Sequence, residues 1–379
     1  MRKVMVIILI AAFLLMGGCW DVEVIDELAI VFGLGIDQDE SDPEKIMVTI
    51  NNPAFNTEAE EQVVRTTVSA YSVSQALLNA QLQRNKSLVL GKLSVIVFSE
   101  EAAENGAMHK VLIQLDQIRE IDPSALICIV RDDSAQHALN VVPPVQPRAA
   151  VYLTELLDRN FNEGRAPRVF LFRYWFDYST RGITPVIPVI ELTGGKEEEE
   201  GFILAGLAAI DEQGRMAGQL TDTEIIIYIM LRDEIFRGRF YSHINFAEQK
   251  QRLVQGKIKK VDRKVITRIV NDKPVIDIKI MVEADLLDVD LVLESQLEEE
   301  VFRGLERALA RDFQGNMMRL LRKTQEWETD IVGLGQFVRV HNHKWFRERN
   351  WAEEYKNSDI NIEVEFRIIR IGTLLNPRY

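Results

Sequence analysis

Few residues in this chain have the type and spacing that chemistry requires. Asp37, Asp39 and Ser41 stand at alternate positions, as in the opening of a calcium loop. The sixth position of that loop is Asp42 where a glycine must turn the chain, and the twelfth is Val48 in place of a glutamate. An acidic hairpin turn is the better reading. His341-Asn342-His343 offers two imidazoles, but His109, His137 and His243 are scattered and supply no third ligand at a familiar spacing. A polar helix junction near Trp345 is expected there instead. Gly333-Leu334-Gly335 opens like a phosphate-cradling turn, yet Val338 occupies the place of the third glycine and no strand precedes it. Cys128 sits in an apolar run without a basic neighbour on its N-terminal side, which suits a buried thiol rather than a nucleophile. With no P-loop, no G-x-S-x-G and no H-E-x-x-H, the expectation is a protein without catalytic residues, bound metal or cofactor.

Cys19 is a different case. Arg2 and Lys3 precede thirteen consecutive apolar residues, Val4 to Met16, and Gly17-Gly18 leads into the cysteine. As a helix, thirteen residues reach only about 20 Å, short of the roughly 30 Å of a bilayer core. A basic start, a short apolar stretch and small residues describe a secretory signal. Gly18-Cys19 resembles the cleavage point of a bacterial lipoprotein, departing from that pattern at Met16, where leucine is usual. The chemistry is consistent: a thiolate can be alkylated by a diacylglycerol, and small neighbours let an enzyme reach the backbone. Residues 1–18 are therefore read as a signal peptide, and Cys19 as the first residue of the mature chain, carrying the diacylglyceryl lipid.

Composition narrows the field further. The chain has 379 residues, 47% apolar and 27% charged, enough for two or three ordinary globular cores. Its net charge is −13, and losing Arg2 and Lys3 with the signal takes it to −15. Nucleic acid is a poor partner for such a chain, and an anionic bilayer repels it, so an acyl anchor would have to hold it. Two cysteines exclude a disulfide framework.

Strands and helices position these residues. Leu28 to Ile36 reads as a buried strand in which Gly33 and Gly35 allow close backbone approach, followed by strands at "KIMVTINNP" and "QVVRTTVSAYS". "VSQALLNAQLQR" reads as a helix, "KLSVIVFSE" as a strand, "EEAAENGAMHKVLIQLDQIREI" as one helix ending before Pro123, and "ALICIVRDD" as a strand. Thr193 to Gly201, "TGGKEEEEG", reads as a boundary, because four like charges and two glycines do not form a core element. Beyond it come the strand "FILAGLAAID" and the helix "TDTEIIIYIMLRDE", which Thr221 and Glu224 would cap. From Gly256 two long strands form a hairpin about "NDKP". A helix beginning near Glu294 then repeats Leu297, Val301, Leu305, Leu309, Phe313, Met317 and Leu320 on one face, and "INIEVEFRIIRIG" alternates as a final strand.

The expected class is α/β to α+β, with several mixed sheets and packed helices. The expected division is a signal at 1–18, an N-terminal α/β domain at 19–196, a small middle subdomain at 197–255 that can belong to the following unit, and a C-terminal α+β domain at 256–379.

Two basic stretches remain. Lys250, Arg252, Lys257, Lys259, Lys260, Arg263 and Lys264 surround the start of the hairpin. Arg165, Arg168, Arg173 and Arg181 interleave with Phe170, Phe172, Tyr174, Trp175 and Phe176. The first reads as a solvated strand face, and the second as an amphipathic packing helix, the alternative being contact with a protein partner or lipid headgroups.

The order of motifs then resembles a known family. "GCWDVEVIDELAIVFGLGID" is similar to the start of the Ger(x)C family of bacterial spore germination lipoproteins: a lipid-bearing cysteine, Trp-Asp, an acid-Leu pair and a Leu-Gly-Ile-Asp strand end. These fall on Cys19, Trp20, Asp21, Glu27, Leu28, Leu34, Gly35, Ile36 and Asp37. "FILAGLAAI" resembles the family's Gly-Leu-Ala strand, and "DIVGLGQFVRVHNHKWFRERNWAEEY" its Asp-x-x-Gly-x-Gly segment. The resemblance implies a non-enzymatic C subunit of a nutrient germinant receptor. It would be tethered by lipid to the outer face of the spore inner membrane and assembled with integral-membrane A and B subunits. The competing reading is a lipoprotein that itself binds a small nutrient between two lobes, in the manner of a solute-binding protein. An exported hydrolase lacks the constellations it would need.

Overall fold

A computed structural model describes residues 27–53, 63–195, 198–232, 238–246, 249–289, 299–372 and 374–375. Gly18, Cys19, Trp20 and Asp21, with the signal, lie outside the described residues.

The first part of the chain runs β1 (Leu28–Ile30), β2 (Gly33–Gln38), β3 (Ile46–Pro53), β4 (Val63–Ala70), α1 (Val73–Leu82), β5 (Ser87–Val89), β6 (Val95–Ser99), α2 (Glu100–Glu104), α3 (Ala107–Asp116), β7 (Leu126–Val130), α4 (Ala135–Asn140), α5 (Ala149–Asn162) and α6 (Leu171–Ser179). Next come β8 (Val186–Gly195), β9 (Glu198–Ile210), β10 (Met216–Leu220) and α7 (Asp222–Arg232). The last part is β11 (Arg239–Phe246), β12 (Gln249–Val270), β13 (Lys273–Val289), α8 (Glu299–Glu326), α9 (Leu334–His341), α10 (His343–Arg347), α11 (Trp351–Asn357), β14 (Asp359–Ile371) and β15 (Leu374–Leu375).

An eight-stranded sheet has the order β10-β9-β8-β7-β6-β2-β3-β4. Its centre, β2, β6, β7 and β8, is parallel and nearly all apolar, as a sheet covered on both faces demands. Antiparallel hairpins extend it at both ends. One face packs on α1, α2, α3 and Leu171 and Tyr174 of α6; the other packs on α4 and α5. Cys128 faces this second core, fully buried, and burial pushes its thiol well above the ordinary range, as an inert structural thiol requires.

A five-stranded sheet has the order β11-β12-β13-β14-β15, with β13 and β14 parallel. One of its faces is closed by α8, about 42 Å long at 1.5 Å per residue. Leu305, Leu309, Phe313, Met317 and Leu320 are buried as the spacing predicts, and Phe302 joins them. The fold is thus mixed α+β, as expected.

Several local expectations are corrected. The single helix expected from Glu100 breaks into α2 and α3, because Gly106 adopts φ 83 and Asn105 ends the first piece. Thr193 to Gly201, expected as a boundary that forms no core element, lies within paired strands: β8 and β9 pair antiparallel from Val186↔Ala209 to Gly195↔Glu198. The strands of the segment expected as a small middle unit join both sheets, β9 and β10 at the edge of the first and β11 at the edge of the second. The hairpin strand expected from Gly256 starts at Gln249. Its turn is Asn271-Asp272, both at positive φ, which these residues tolerate better than most.

Candidate functional site

The two sheets meet where α6, the strand-bound loop before β8, α7 and the segment after α8 converge. At the centre is Asp330. Its Oδ1 accepts from the backbone N–H of Gly333 at 2.8 Å and Leu334 at 3.0 Å. Its Oδ2 accepts from Gly335 N–H at 2.7 Å and Trp351 Nε1 at 2.9 Å. Asp330 is buried, and burial raises its carboxyl pKa against the pull of those four donors. Its backbone carbonyl accepts from Thr184 N–H at 3.0 Å, so one residue links the C-terminal helices to the strap leading into β8.

The glycines here are steric necessities. Gly333 has φ 80. A Cβ on Gly335 would lie 2.4 Å from the Trp351 ring and 2.6 Å from Gly182 Cα, and Gly182 has φ 94. The Gly-Leu-Gly that opens like a phosphate turn therefore does lead a helix. The amides a phosphate would use are taken by the chain's own carboxylate.

Around this centre the joint is polar and paired. Asp177 on α6 receives Arg173 Nε at 2.9 Å and Arg232 of α7 at 3.0 Å, with both Asp177 and Arg232 nearly inaccessible. Arg232 also donates to the Val332 carbonyl at 3.4 Å. Arg181 donates to the carbonyls of Arg349 at 2.8 Å and Arg347 at 3.3 Å, and its guanidinium lies 5.2 Å from the Phe346 ring centre. Glu224 completes the expected capping box by accepting from Thr221 N–H at 2.9 Å. It also pairs with Lys323 of α8 at 2.7 Å, so one cap joins two elements.

A cleft of about 360 Å³ opens beside the joint, with Tyr178, Arg181, Thr184, Asp211, Glu212 and Asn350 among its walls. Most of its polar groups are engaged within the fold. Asp211 accepts from the amides of Gln213 and Arg215, both at 2.8 Å. Tyr178 donates to the Glu212 carbonyl at 2.8 Å, and Asn350 caps α11 through Ala352 N–H at 2.9 Å.

A second buried carboxylate, Asp37 at the end of β2, does for α4 what Asp330 does for α9. It accepts from Ala135 N–H at 2.7 Å and Gln136 N–H at 2.9 Å. Burial, the larger influence, raises its pKa while those amides pull it down. Asp39, two residues on, accepts from Ser41 N–H at 2.8 Å and from the hydroxyls of Ser41 and Ser69, which hold its pKa at about 2. Of the calcium-like pattern, Asp39 and Ser41 belong to the expected turn, whereas Asp37 lies in β2 and caps α4. His341 Nδ1 donates to the Phe337 carbonyl at 3.0 Å, and Trp345 Nε1 donates to Asp272, at the polar helix junction expected there.

The basic stretches are largely paired as well. Lys259 meets Asp285 at 3.3 Å, Lys260 meets Asp262 at 2.6 Å, and Arg263 donates to the Leu231 carbonyl and sits over Phe337. Arg165 and Arg168 pair with Glu163 and Asp158. The side chains of Lys250 and Arg252 lie outside the described residues. On α6, Tyr174 is buried while Phe172 and Phe176 are exposed, the pattern of a helix packed on one side. Sequence reasoning did not single out Asp177, Arg232 or Gly182. Lone charges and glycines carry no spacing signal, and only tertiary packing brings these three to the joint.

Comparison with known proteins agrees with this arrangement. Residues 21–192 match the family described as spore germination protein N-terminal domain, and residues 205–372 match spore germination B3/GerAC like, C-terminal. Spore germination protein KC of Bacillus subtilis is 22% identical, covering 99% of this chain and 97% of its own length. Spore germination protein GerQC of Bacillus cereus is 19% identical, covering 98% and 99%. The crystal structure of the GerBC protein shares the fold, with a TM-score of 0.59 at 18% identity over 92% of this chain and all of the other. The motifs at Leu34–Asp37 and Asp330–Gly335 each hold a buried helix-capping carboxylate. The chain belongs to the Ger(x)C family of spore germination proteins, and its role lies in spore germination.

Proposed function

We propose that the protein is the lipid-anchored, non-catalytic C subunit of a nutrient germinant receptor, tethered through a diacylglyceryl group on Cys19 to the outer face of the spore inner membrane. There it helps trigger germination through contacts with integral-membrane A and B subunits. The observation that carries this reading is the run of family resemblance along the chain, from residue 21 to residue 372, behind a Gly18-Cys19 pair that itself follows a short apolar leader. Among the described residues no helix is long and apolar enough to cross a membrane; an acyl chain on Cys19 would supply the attachment. A non-catalytic role is supported by the way Asp330, Asp211, Asp177 and Arg181 serve neighbouring backbone and side chains.

Purification of the protein from spore membranes, followed by identification of what accompanies it, tests the assembly. Recovery of the protein alone under conditions that preserve membrane complexes would refute it. Cys19→Ala should leave a folded protein lost from the membrane fraction; a variant that fractionates like the parent shows that something else holds it.

The competing reading, direct binding of a small nutrient, draws on the cleft beside Asp330, whose size is at the lower end for a small-ligand site. Titration with amino acids and sugars decides between them: micromolar binding by this subunit alone favours the competitor.

A further inference from the structure

Residues 62–99 contain no aspartate and no glutamate, in a chain that carries 58 acids. This stretch forms β4, α1, β5 and β6. α1 buries Val73, Ala76 and Ala80 against the sheet and turns Leu78 and Leu82 outward, 61% and 78% exposed. Four residues apart, they lie one above the other on the same helix face. The chain then turns through residues 83–86. That turn is folded onto the helix end: Gln81 Nε2 donates to the Lys86 carbonyl at 2.9 Å, and Leu88 N–H donates to Gln81 Oε1 at 2.7 Å. The surface therefore combines two exposed leucines, the amides of Gln83 and Asn85, and Lys86. Arg84 is turned inward to Asn52 and Thr66, and Lys92 stands near Asp122, so neither belongs to it.

What lies next to this surface is given by β1. It runs parallel to β5 with Leu28 opposite Ser87, so the first described residues of the chain lie beside the turn at 83–86. Glu27 lies eight positions after Cys19, a span that reaches at most about 28 Å when fully extended. Residues 62–99 bring no carboxylate to this surface, and Lys86 gives it a cation, so these residues are not repelled by anionic lipid.

We propose that the outer face of α1 and the turn 83–86 lies on the bilayer, with Leu78 and Leu82 at the headgroup–acyl boundary and Lys86 on anionic headgroups. The surface orients the subunit, and the acyl anchor holds it. The inference rests on the anchored reading above and adds a defined orientation to it.

The test uses the full lipidated protein in vesicles of phosphatidylglycerol and phosphatidylethanolamine. Leu82→Cys carries an environment-sensitive fluorophore, and Leu287→Cys, exposed on the second sheet, is the control. The other thiols do not interfere, since lipid occupies Cys19 and Cys128 is buried in β7. Expected is a blue shift and a several-fold loss of emission at position 82 when the phospholipids carry spin labels near the headgroup, with no change at position 287. Adding Leu78→Glu should abolish the quenching while the protein still floats with the vesicles. A floating protein whose label at 82 remains in water overturns the inference alone. Quenching that requires the integral-membrane subunits assigns the face to a protein partner and also overturns it. Failure to float overturns the anchor and the inference together.

Discussion

Asp37 caps a helix 98 residues away, whereas Asp330 folds back three to five residues onto the helix that follows it. Asp37 can reach Ala135 only after β2, β6 and β7 have paired and α4 has packed on them, so its cap reports a finished sheet. Asp330 forms most of its cap locally, with little loop entropy to overcome. It then uses Trp351 Nε1 and its own carbonyl, against Thr184, to bind distant elements together. Both carboxylates are buried and both occupy helix amides that would otherwise attract an anion. The first secures one layer of a domain; the second sits where the two halves of the chain meet.

The largest effect expected from breaking this comparison is at Asp330. Each of its oxygens accepts two N–H donors, so Asp330→Asn turns an amide NH₂ toward two donors whichever way it faces. A loss of about 4 kcal/mol is expected in chemical denaturation of the purified protein. A loss under about 1 kcal/mol would remove Asp330 from the centre of the joint. Gly335→Ala comes next, at about 3 kcal/mol, because its Cβ meets both the Trp351 ring and Gly182. The companion Trp351→Leu should recover part of that loss, and no recovery would place the strain elsewhere.

At Asp37, Asp37→Asn opposes one backbone donor in either orientation, and about 2 kcal/mol is expected, roughly half the Asp330 value. Equal losses at the two sites would show that donor number does not govern them. The smallest effect concerns pH. Asp39 is depressed from 3.8 to about 2, so its contribution is present above 3.8 and is lost as pH falls toward 2. Asp330 is raised, so ionisation costs the folded state, and that cost is relieved as pH falls through its folded pKa. Acid unfolding of Asp39→Asn should lose its dependence on pH in that window, measured against the parent; an unchanged acid limb would show that the serine hydroxyls do not hold the carboxylate.

Much of the fold was legible because its signals are local. Leu305, Leu309, Phe313, Met317 and Leu320 recur at helical spacing and form the buried face of α8. The alternation from Asp359 to Ile371 is a half-buried strand. Thr221 and Glu224 form the cap their spacing predicts. The joint was not legible in that way. "DIVGLGQF" lacks the third glycine and the preceding strand of a phosphate turn, but its spacing does not show that Asp330 fills the turn; that lies in where the Asp330 side chain points. Thr193 to Gly201 likewise suits an inter-domain boundary or a hairpin tip, and strand pairing across it decides.

The sequence by itself determined most of the first-half strands, the long helix face, the buried thiol at Cys128 and the family, because periodicity, capping residues and motif order are properties of neighbouring positions. Tertiary structure alone decided that β9 and β10 complete the first sheet while β11 opens the second, that Asp177 meets Arg232 across the joint, and that Asp37 reaches α4. Those contacts join residues tens to a hundred positions apart. Their energies depend on burial and on the orientation of single oxygens, and neither is written in the spacing of residue types.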